Sequence, residues 1–343
     1  MKSEKGSARK GLLADLLFIV IMVAILIPIY FIFPSKMMAA EILIMALPTL
    51  SFILLLGYTG LLSFSTGSLF AVGAYTAGIL LSRHQAHIFV AIFAGVAMSG
   101  IVALVMGYFC IKRGGLIFSL LTLAFNQLIW FIIWQWKTFT GGPDGIWGIH
   151  RSSLSLGGWV INLKPTFNFY IFVILFFLLV FIFVRRLIGS PFGKVLLGMR
   201  ESELRATAIG YNPETYKWIA FIISGMICGV GGALFALHQE YVGEHLANWF
   251  TSGEVAIMAL LGGAFTIQGA LIGSAVFIFL ADFLNKFKVL SQSGAWLLVL
   301  GVVFILVVMF FRGGIYGGFE KVLEWVQKKE RKGHAEGGEI NER

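Results

Sequence analysis

Charge is scarce in this 343-residue chain: Asp, Glu, Lys and Arg together make up 13% of it, too little to coat a water-soluble surface. The few charges are also gathered into short clusters, which excludes helices with solvated faces. Cysteine is nearly missing. Its two copies, Cys110 and Cys228, stand in or at the end of separate apolar runs, form neither a metal nor a redox motif, and read as small packing residues. No GxxxxGK followed by Ser or Thr occurs, nor HExxH, CxxC or GxSxG. The chain therefore neither binds ATP through a P-loop nor acts as a recognisable hydrolase. His84 and His87 lie three apart at the end of an apolar run with no carboxylate nearby, and read as a solvated loop in preference to a metal site.

Apolar residues fill the space that charge leaves. The AVILMFWYC share is 58%, or about 67% when glycine is counted and tyrosine is not, against about 45 to 50% in globular proteins. A hydrocarbon core about 30 Å thick is crossed by about 20 apolar residues in a helix. Segments 12–34, 37–56, 61–82, 88–110, 115–136, 167–187, 218–238 and 294–311 meet that requirement. The run starting at Leu12 is too long for a signal peptide and lacks a small-residue cleavage site, so it reads as a retained first span. Region 249–284 is too long for one span and is interrupted by Gly262, Gly263 and Gly269, which would break it into two short helices.

Parity settles that region. With the N-terminus cytoplasmic and two crossings in 249–284, the inside receives Lys2, Lys5, Arg9, Lys10, Lys112, Arg113, Arg185, Arg186, Lys194, Arg200, Arg205, Lys217 and the seven basic residues from Arg312 onward. Outside fall only Lys36, Arg83, Lys137, Arg151, Lys164, Lys286 and Lys288. A single crossing would export the basic tail, against the positive-inside rule. The expectation is an all-α polytopic membrane protein of about ten transmembrane helices, both termini cytoplasmic. It comprises an N-terminal segment 1–11, a membrane domain 12–318 and a tail 319–343. The net charge of +9 is thus a matter of topology, and nucleic acid is not an expected partner. In the tail, Phe319, Val322, Leu323 and Val326 share one helix face ahead of Lys328, Lys329, Arg331 and Lys332, which predicts an interfacial helix on anionic lipid and disorder from Gly333.

Two loops stand out. Residues 137–166 form the longest external segment, with a Thr-Gly-Gly-Pro-Asp-Gly cluster suited to a structured cap. Residues 188–217 form a long, basic internal segment, interrupted by Pro191, Gly193, Gly210 and Pro213, with a helical stretch between Lys194 and Ile209. This is either a docking surface or a solvated connector. As a docking surface it would present Arg200, Glu201, Glu203 and Arg205, with Gly210 letting the chain turn where a side chain would obstruct it.

The ionisable residues near spans, Asp15, Glu41, Glu254 and Asp282, all fall toward helix ends, so no carboxylate at the midplane is there to load a driving proton. Energy for transport would have to arrive from outside the chain, and segment 188–217 is where an ATPase subunit would deliver it. Glycine-rich interruptions at Gly57–Ser68 and Gly262–Gly269 have two readings: a pathway between pseudo-repeats, or close helix packing through small residues. Ser63, Ser65 and Thr66, with Asn126 in the fifth span, offer hydrogen bonds without fixed charge to a solute in the path, or serve as a structural polar network.

Four stretches together resemble one family, the inner-membrane permeases of branched-chain amino acid ABC importers, of the LivM-type subunit, over roughly residues 40 to 318. Gly57 to Tyr75 resembles the G-Y-x-G-x-L-S-x-G-x-x-x-F-x-x-x-G-A-Y signature, with Ser65 in place of glycine and Thr66 where His or Gln is common. Thr140 to Gly145 is similar to the T-G-G-x-D-G loop. Ser190 to Lys194, Arg200-Glu201 and Ala206 to Gly210 resemble S-P-x-G-R, R-E and A-x-A-x-G. Leu261-Gly262-Gly263 with Thr266 and Gly269 resembles G-G-x-G-T-x-x-G-P-x-x-G-A, with Phe265 for glycine and Ala270 for proline. The resemblance implies a permease with no ATPase site of its own, working with a homologous permease, two ABC ATPase subunits that hold the ATP, and an extracytoplasmic solute-binding protein. In that family the loop like 188–217 contacts the ATPase. A related subfamily carries urea or short amides. A lipid-linked transferase, which clustered acidic residues at a membrane face would favour, finds no such cluster here, and a passive channel is the third reading.

Overall fold

The computed structural model describes residues 35–286 apart from Ser152, Ser153, Gly157 and Gly158, with scattered positions in 22–30 and 298–317, and leaves the side chains of 152–161 undescribed. The expected spans 12–34 and 294–311 lie largely outside the described residues, and the tail helix lies wholly outside them. Among the described residues the regular elements are helices, joined by irregular segments, and one antiparallel hairpin, β1 (Leu154–Leu156) with β2 (Trp159–Ile161), inside the 137–166 loop. Five helices are long and apolar enough to cross a membrane. They start with α1 (Lys36–Ile53), which continues into a π turn at Leu54–Thr59. After α2 (Thr66–Arg83) come α3 (Ile88–Cys110) and α4 (Gly115–Gln135), and after the short α5 (Lys137–Thr140) comes α6 (Thr166–Gly189). Two short helices, α7 (Pro191–Glu201) and α8 (Glu203–Ala208), lead to α9 (Pro213–Gln239). The two shorter apolar helices are α10 (Trp249–Gly262) and α11 (Gly269–Asn285). Polytopic membrane architecture follows from these helices.

Region 249–284 does break in two. Gly262 and Gly273 lie against the backbone of Gly269 and Met258, which folds α10 and α11 into an antiparallel hairpin. The expected helix across Lys194 to Ile209 is also broken, at Ser202, whose extended backbone ends α7 and whose hydroxyl accepts from Arg205 N to start α8. Of the five long spans, Lys36–Thr59 is the most enclosed and Gly115–Gln135 the least, so α1 lies at the centre and α4 at the rim. The bundle closes most tightly where α2, α3 and α9 meet. A Cβ on Gly73 would fall 2.7 Å from Gly229 Cα, and one on Gly95 would fall 2.9 Å from Gly73 O. Glycine there lets three backbones approach, as in lipid, where association depends on close packing.

The expected span 61–82 begins late. Helix α2 starts at Thr66, and Gly60, with φ of 74°, turns the chain out of the preceding π turn. Segment Leu61–Ser65 is therefore irregular within the bundle. It persists because other side chains satisfy its backbone: Ser119 Oγ donates to Leu62 O at 2.7 Å, and Phe64 N donates to Thr122 Oγ1 at 3.1 Å.

Candidate functional site

Two helices begin in the middle of the bundle. Ser99, at the centre of α3, donates to Leu69 O at 2.8 Å, and Asn126, near the centre of α4, accepts from Ser68 N at 2.8 Å. Both bonds put the N-terminus of α2 at mid-depth. Asn126 Nδ2 also donates to Ala247 O at 2.9 Å, and Ser252 Oγ accepts from Gly67 N at 2.9 Å. The N-terminus of α10 thus meets that of α2, each helix running away toward an opposite end of the bundle. Ser252 completes the junction by donating to Asn126 Oδ1 at 3.4 Å.

The junction gathers the expected path residues, all of them buried. Ser63 and Ser65 share a hydroxyl hydrogen bond of 2.8 Å, and Asn126 spends both ends of its amide on the chain. Thr66 differs: its hydroxyl is enclosed and finds no hydrogen-bond partner among the described residues. Sequence reasoning missed Ser68, Ser99, Ser119, Thr122 and Ser252. A signal for α4 was present, since Ser119, Thr122 and Asn126 fall at i, i+3 and i+7 on one face of an otherwise apolar span.

Segment 188–217 lies at the other end of α6 from loop 137–166, and four of its five expected docking residues divide between two faces. Arg200, although exposed, reaches across to the membrane domain, its Nη1 donating to Gly57 O and its guanidinium carbon lying 4.3 Å from the centre of the Phe265 ring. Glu203 pairs with the buried Lys217 of α9. Glu201 and Arg205 stay outside, with 74% and 73% of their side chains exposed and only a loose 3.8 Å pair between them. Beside them Leu204 and Ile209 are 86% and 77% exposed, and a groove of about 340 Å³ runs along Lys194, Gly198, Glu201, Arg205, Ile209 and Tyr211. Gly210 is required for a different reason than expected. No atom crowds its missing Cβ, but its φ of 98° belongs to the left-handed region, where it ends α8.

The expectation that no acidic cluster forms is overturned. Glu41 of α1, Glu254 of α10 and Asp282 of α11 line one cavity of about 280 Å³, with Met45, Met258 and Asn285. Glu41 and Asp282 sit toward helix ends as expected, but Glu254 follows Ser252 by two residues and so stands near mid-depth, against the expectation that no carboxylate does; the hairpin of α10 and α11 packed on α1 brings the three together. Asp282 is paired with Lys286 at 2.8 Å. No group of acids, histidines and cysteines among the described residues is arranged to hold a metal ion. His84 and His87 are exposed, and Cys110 and Cys228 are buried and apart, the latter with its Sγ 2.9 Å from Ser51 Oγ.

Loop 137–166 is built as a cap. Thr140 Oγ1 donates to Ile133 O of α4 and to Trp136 O just past its end, at 2.8 Å, and Ile146 pairs with Val242 across an isolated bridge. Arg151, assigned to the external side by charge bias, is buried within this cap. Its Nε donates to Leu237 O at 2.9 Å and its Nη2 to His238 O at 2.6 Å, so it caps the C-terminus of α9, with Glu240 3.4 Å away. Burial pulls its guanidinium below the ordinary value, and Glu240 pushes it back up.

A multi-pass helical bundle with a polar junction at mid-depth and a two-faced segment at one end fits the class of polytopic membrane permeases. The chain belongs to the family of branched-chain amino acid transport system permease components, whose family model matches residues 36–308. It is 26% identical over 268 residues to the high-affinity branched-chain amino acid transport system permease protein LivM of Escherichia coli, a match covering 71% of this chain and 63% of that protein. The LivM protein of Salmonella typhimurium matches to the same extent. A probable branched-chain amino acid transport permease protein LivM of Methanocaldococcus jannaschii is 30% identical over 114 residues, 32% of each chain. The chain thus spans less than two thirds of the length of the first two relatives, 63% in each case. No solved structure matches it.

Proposed function

We propose that this chain is the permease subunit of an ATP-driven importer for branched-chain amino acids, placed in a prokaryotic inner membrane with ten spans and both termini in the cytoplasm. The observation that carries this reading is the two-faced segment 188–217: an outer face with Glu201, Leu204, Arg205 and Ile209 exposed around a groove, and an inner face bound to the membrane domain. Exposed apolar tips among charges suit docking of a protein partner. The partners are a homologous permease, two ATPase subunits that carry the ATP, and an extracytoplasmic solute-binding protein. The chain itself binds no cofactor and performs no covalent chemistry. ATP-driven closure of the ATPases moves segment 188–217 and, through it, the helices around the path, as alternating access requires.

A branched-chain amino acid is a zwitterion with an apolar side chain, so its path should offer hydrogen bonds without a trapping charge. Thr66, whose hydroxyl has no partner among the described residues and lies beside Ser63, Ser65 and Asn126, supports a path there. Proteoliposomes holding both permeases, the ATPases and the binding protein test the reading through uptake of labelled leucine. Accumulation that requires ATP and is competed by valine and isoleucine is expected. Equilibration without ATP would make it a passive channel, and competition by urea or acetamide instead would move it to the short-amide subfamily.

A further inference from the structure

Arg200 departs from a docking role. It is the penultimate residue of α7, and α7 is held to the bundle by buried Leu196 and Met199. Its side chain leaves the outer groove and runs to two places where the membrane domain has irregular backbone. The first is the π turn Leu54–Thr59, where Arg200 Nη1 donates to Gly57 O and Arg200 Cγ lies 3.4 Å from where a Cβ of Gly60 would stand. A carbonyl near a helix C-terminus lacks an intrahelical partner and carries the negative end of the helix dipole, so a guanidinium is its strongest available donor. The second is the Gly263–Gln268 turn between α10 and α11, where Phe265 presents its ring to the same guanidinium at 4.3 Å.

These two turns also touch each other. A Cβ on Gly57 would lie 2.5 Å from Ala264 O, so glycine there permits a backbone contact between segments two hundred residues apart in sequence, and Arg200 lies across it. Both turns are the glycine-rich interruptions that stand out in the sequence. They meet at the end of the bundle that carries segment 188–217.

We propose that Arg200 is a positioning residue that clasps the two turns shut from α7, and that its release opens this end of the bundle when segment 188–217 moves. This rests on the permease reading. Its planar fork is what allows one side chain to bond a carbonyl at its edge and stack on a ring with its face, which a lysine ammonium does only in part. Movement on the outer face of α7 and α8 is thereby coupled to the turns through a single residue.

The test uses cysteine labelling of the full chain in membrane vesicles, with Ala264→Cys as reporter. Ala264 is 5% exposed and the native cysteines are buried, so background labelling is low. With Arg200 in place, an impermeant maleimide should react slowly. Arg200→Ala should raise the rate by about tenfold or more, since one charge-assisted bond and one ring contact are lost together, and Arg200→Lys should restore part of the protection. Phe265→Leu should give a smaller rise, and it serves as the test if Arg200→Ala does not accumulate. An unchanged rate in the variants that accumulate overturns the proposal, as does loss of ATPase copurification in Arg200→Ala with the labelling rate unchanged. Measuring both inside-out and right-side-out vesicles separates the two readings: a rise from either face supports the clasp, and the face from which it is seen tests the membrane orientation. ATP-driven uptake by the same variants in the assembled transporter should fall while the ATPases remain bound.

Discussion

Thr66 and Asn126 belong to one buried junction and do opposite work in it. Asn126 holds Ser68 N, Ala247 O and Ser252 Oγ, so Asn126→Leu strands buried donors and acceptors. Each stranded group costs about 1 to 3 kcal/mol in a protein interior, although pairs measured in membranes average about 0.6. A net loss of about 2 kcal/mol is expected, read as a lower melting midpoint in detergent and lower abundance. Thr66→Val removes a hydroxyl that bonds nothing among the described residues and keeps the shape of the side chain. It should leave melting within about 0.5 kcal/mol of the parent. If uptake per molecule nevertheless changes in Thr66→Val, the hydroxyl acts on the solute. An unaltered midpoint in Asn126→Leu would show that the junction does not hold α2 and α10 together.

The hairpin of α10 and α11 depends on glycine at positions where nothing else fits. A Cβ at Gly273 of α11 would collide with Met258 O of α10, whereas one at Gly253 of α10 meets no atom within 4 Å. Gly273→Ala should therefore force the helices apart at about 1 to 3 kcal/mol. Gly253→Ala should instead stabilise α10, by up to about 1 kcal/mol. Yields and melting midpoints of the two variants should move in opposite directions; equal effects would mean that the hairpin is looser than the geometry shows. Some of this architecture was legible in the sequence. Run 88–110 reproduces α3, and 115–136 reproduces α4 to within one residue, because long uniform apolar stretches in lipid have no alternative to helix. Segment 61–82 misled because apolar composition is blind to a backbone bonded by Ser119 and Thr122 from another helix. The break at Ser202 and the start of α9 at Asn212-Pro213 carried ordinary cap signals that a search for apolar runs passes over.

Topology remains the boldest reading of the assembled chain. Helix α6 has 24 residues, about 36 Å of rise, and so separates loop 137–166 from segment 188–217 by a full bilayer. Helices α10 and α11, about 21 and 25 Å long, together return the chain to the side it left, in keeping with two crossings by a closely packed pair. Reporter fusions at residues 150 and 290 should lie outside, and those at residue 210 and the C-terminus inside. The same side for residue 290 and the C-terminus would sink the ten-span arrangement. Composition and charge bias can argue such a topology because both act over whole loops. Composition gave no view of the cavity shared by Glu41, Glu254 and Asp282, or of the burial of Arg151, since each depends on contacts between residues far apart in sequence.

The meeting of α2 and α10 at mid-depth also shapes the electric field inside the bundle. A helix N-terminus carries about half an elementary positive charge, and here two such ends face one another where salt does not screen them. At α2 the oxygens of Asn126 and Ser252 accept from Ser68 N and Gly67 N, and at α10 the side chain of Asn248 accepts from Phe250 N, so neutral oxygens satisfy these ends and leave the field in place. The two helix ends therefore give the junction a positive field with no lysine or arginine among its residues, opposed from one side by Glu254, two residues beyond Ser252. Sodium, potassium and hydronium ions approaching it climb in energy, while a carboxylate does not. A membrane that must stay ion-tight while solutes cross it gains from such a barrier, and substitutions that leave every charged residue untouched are enough to weaken it.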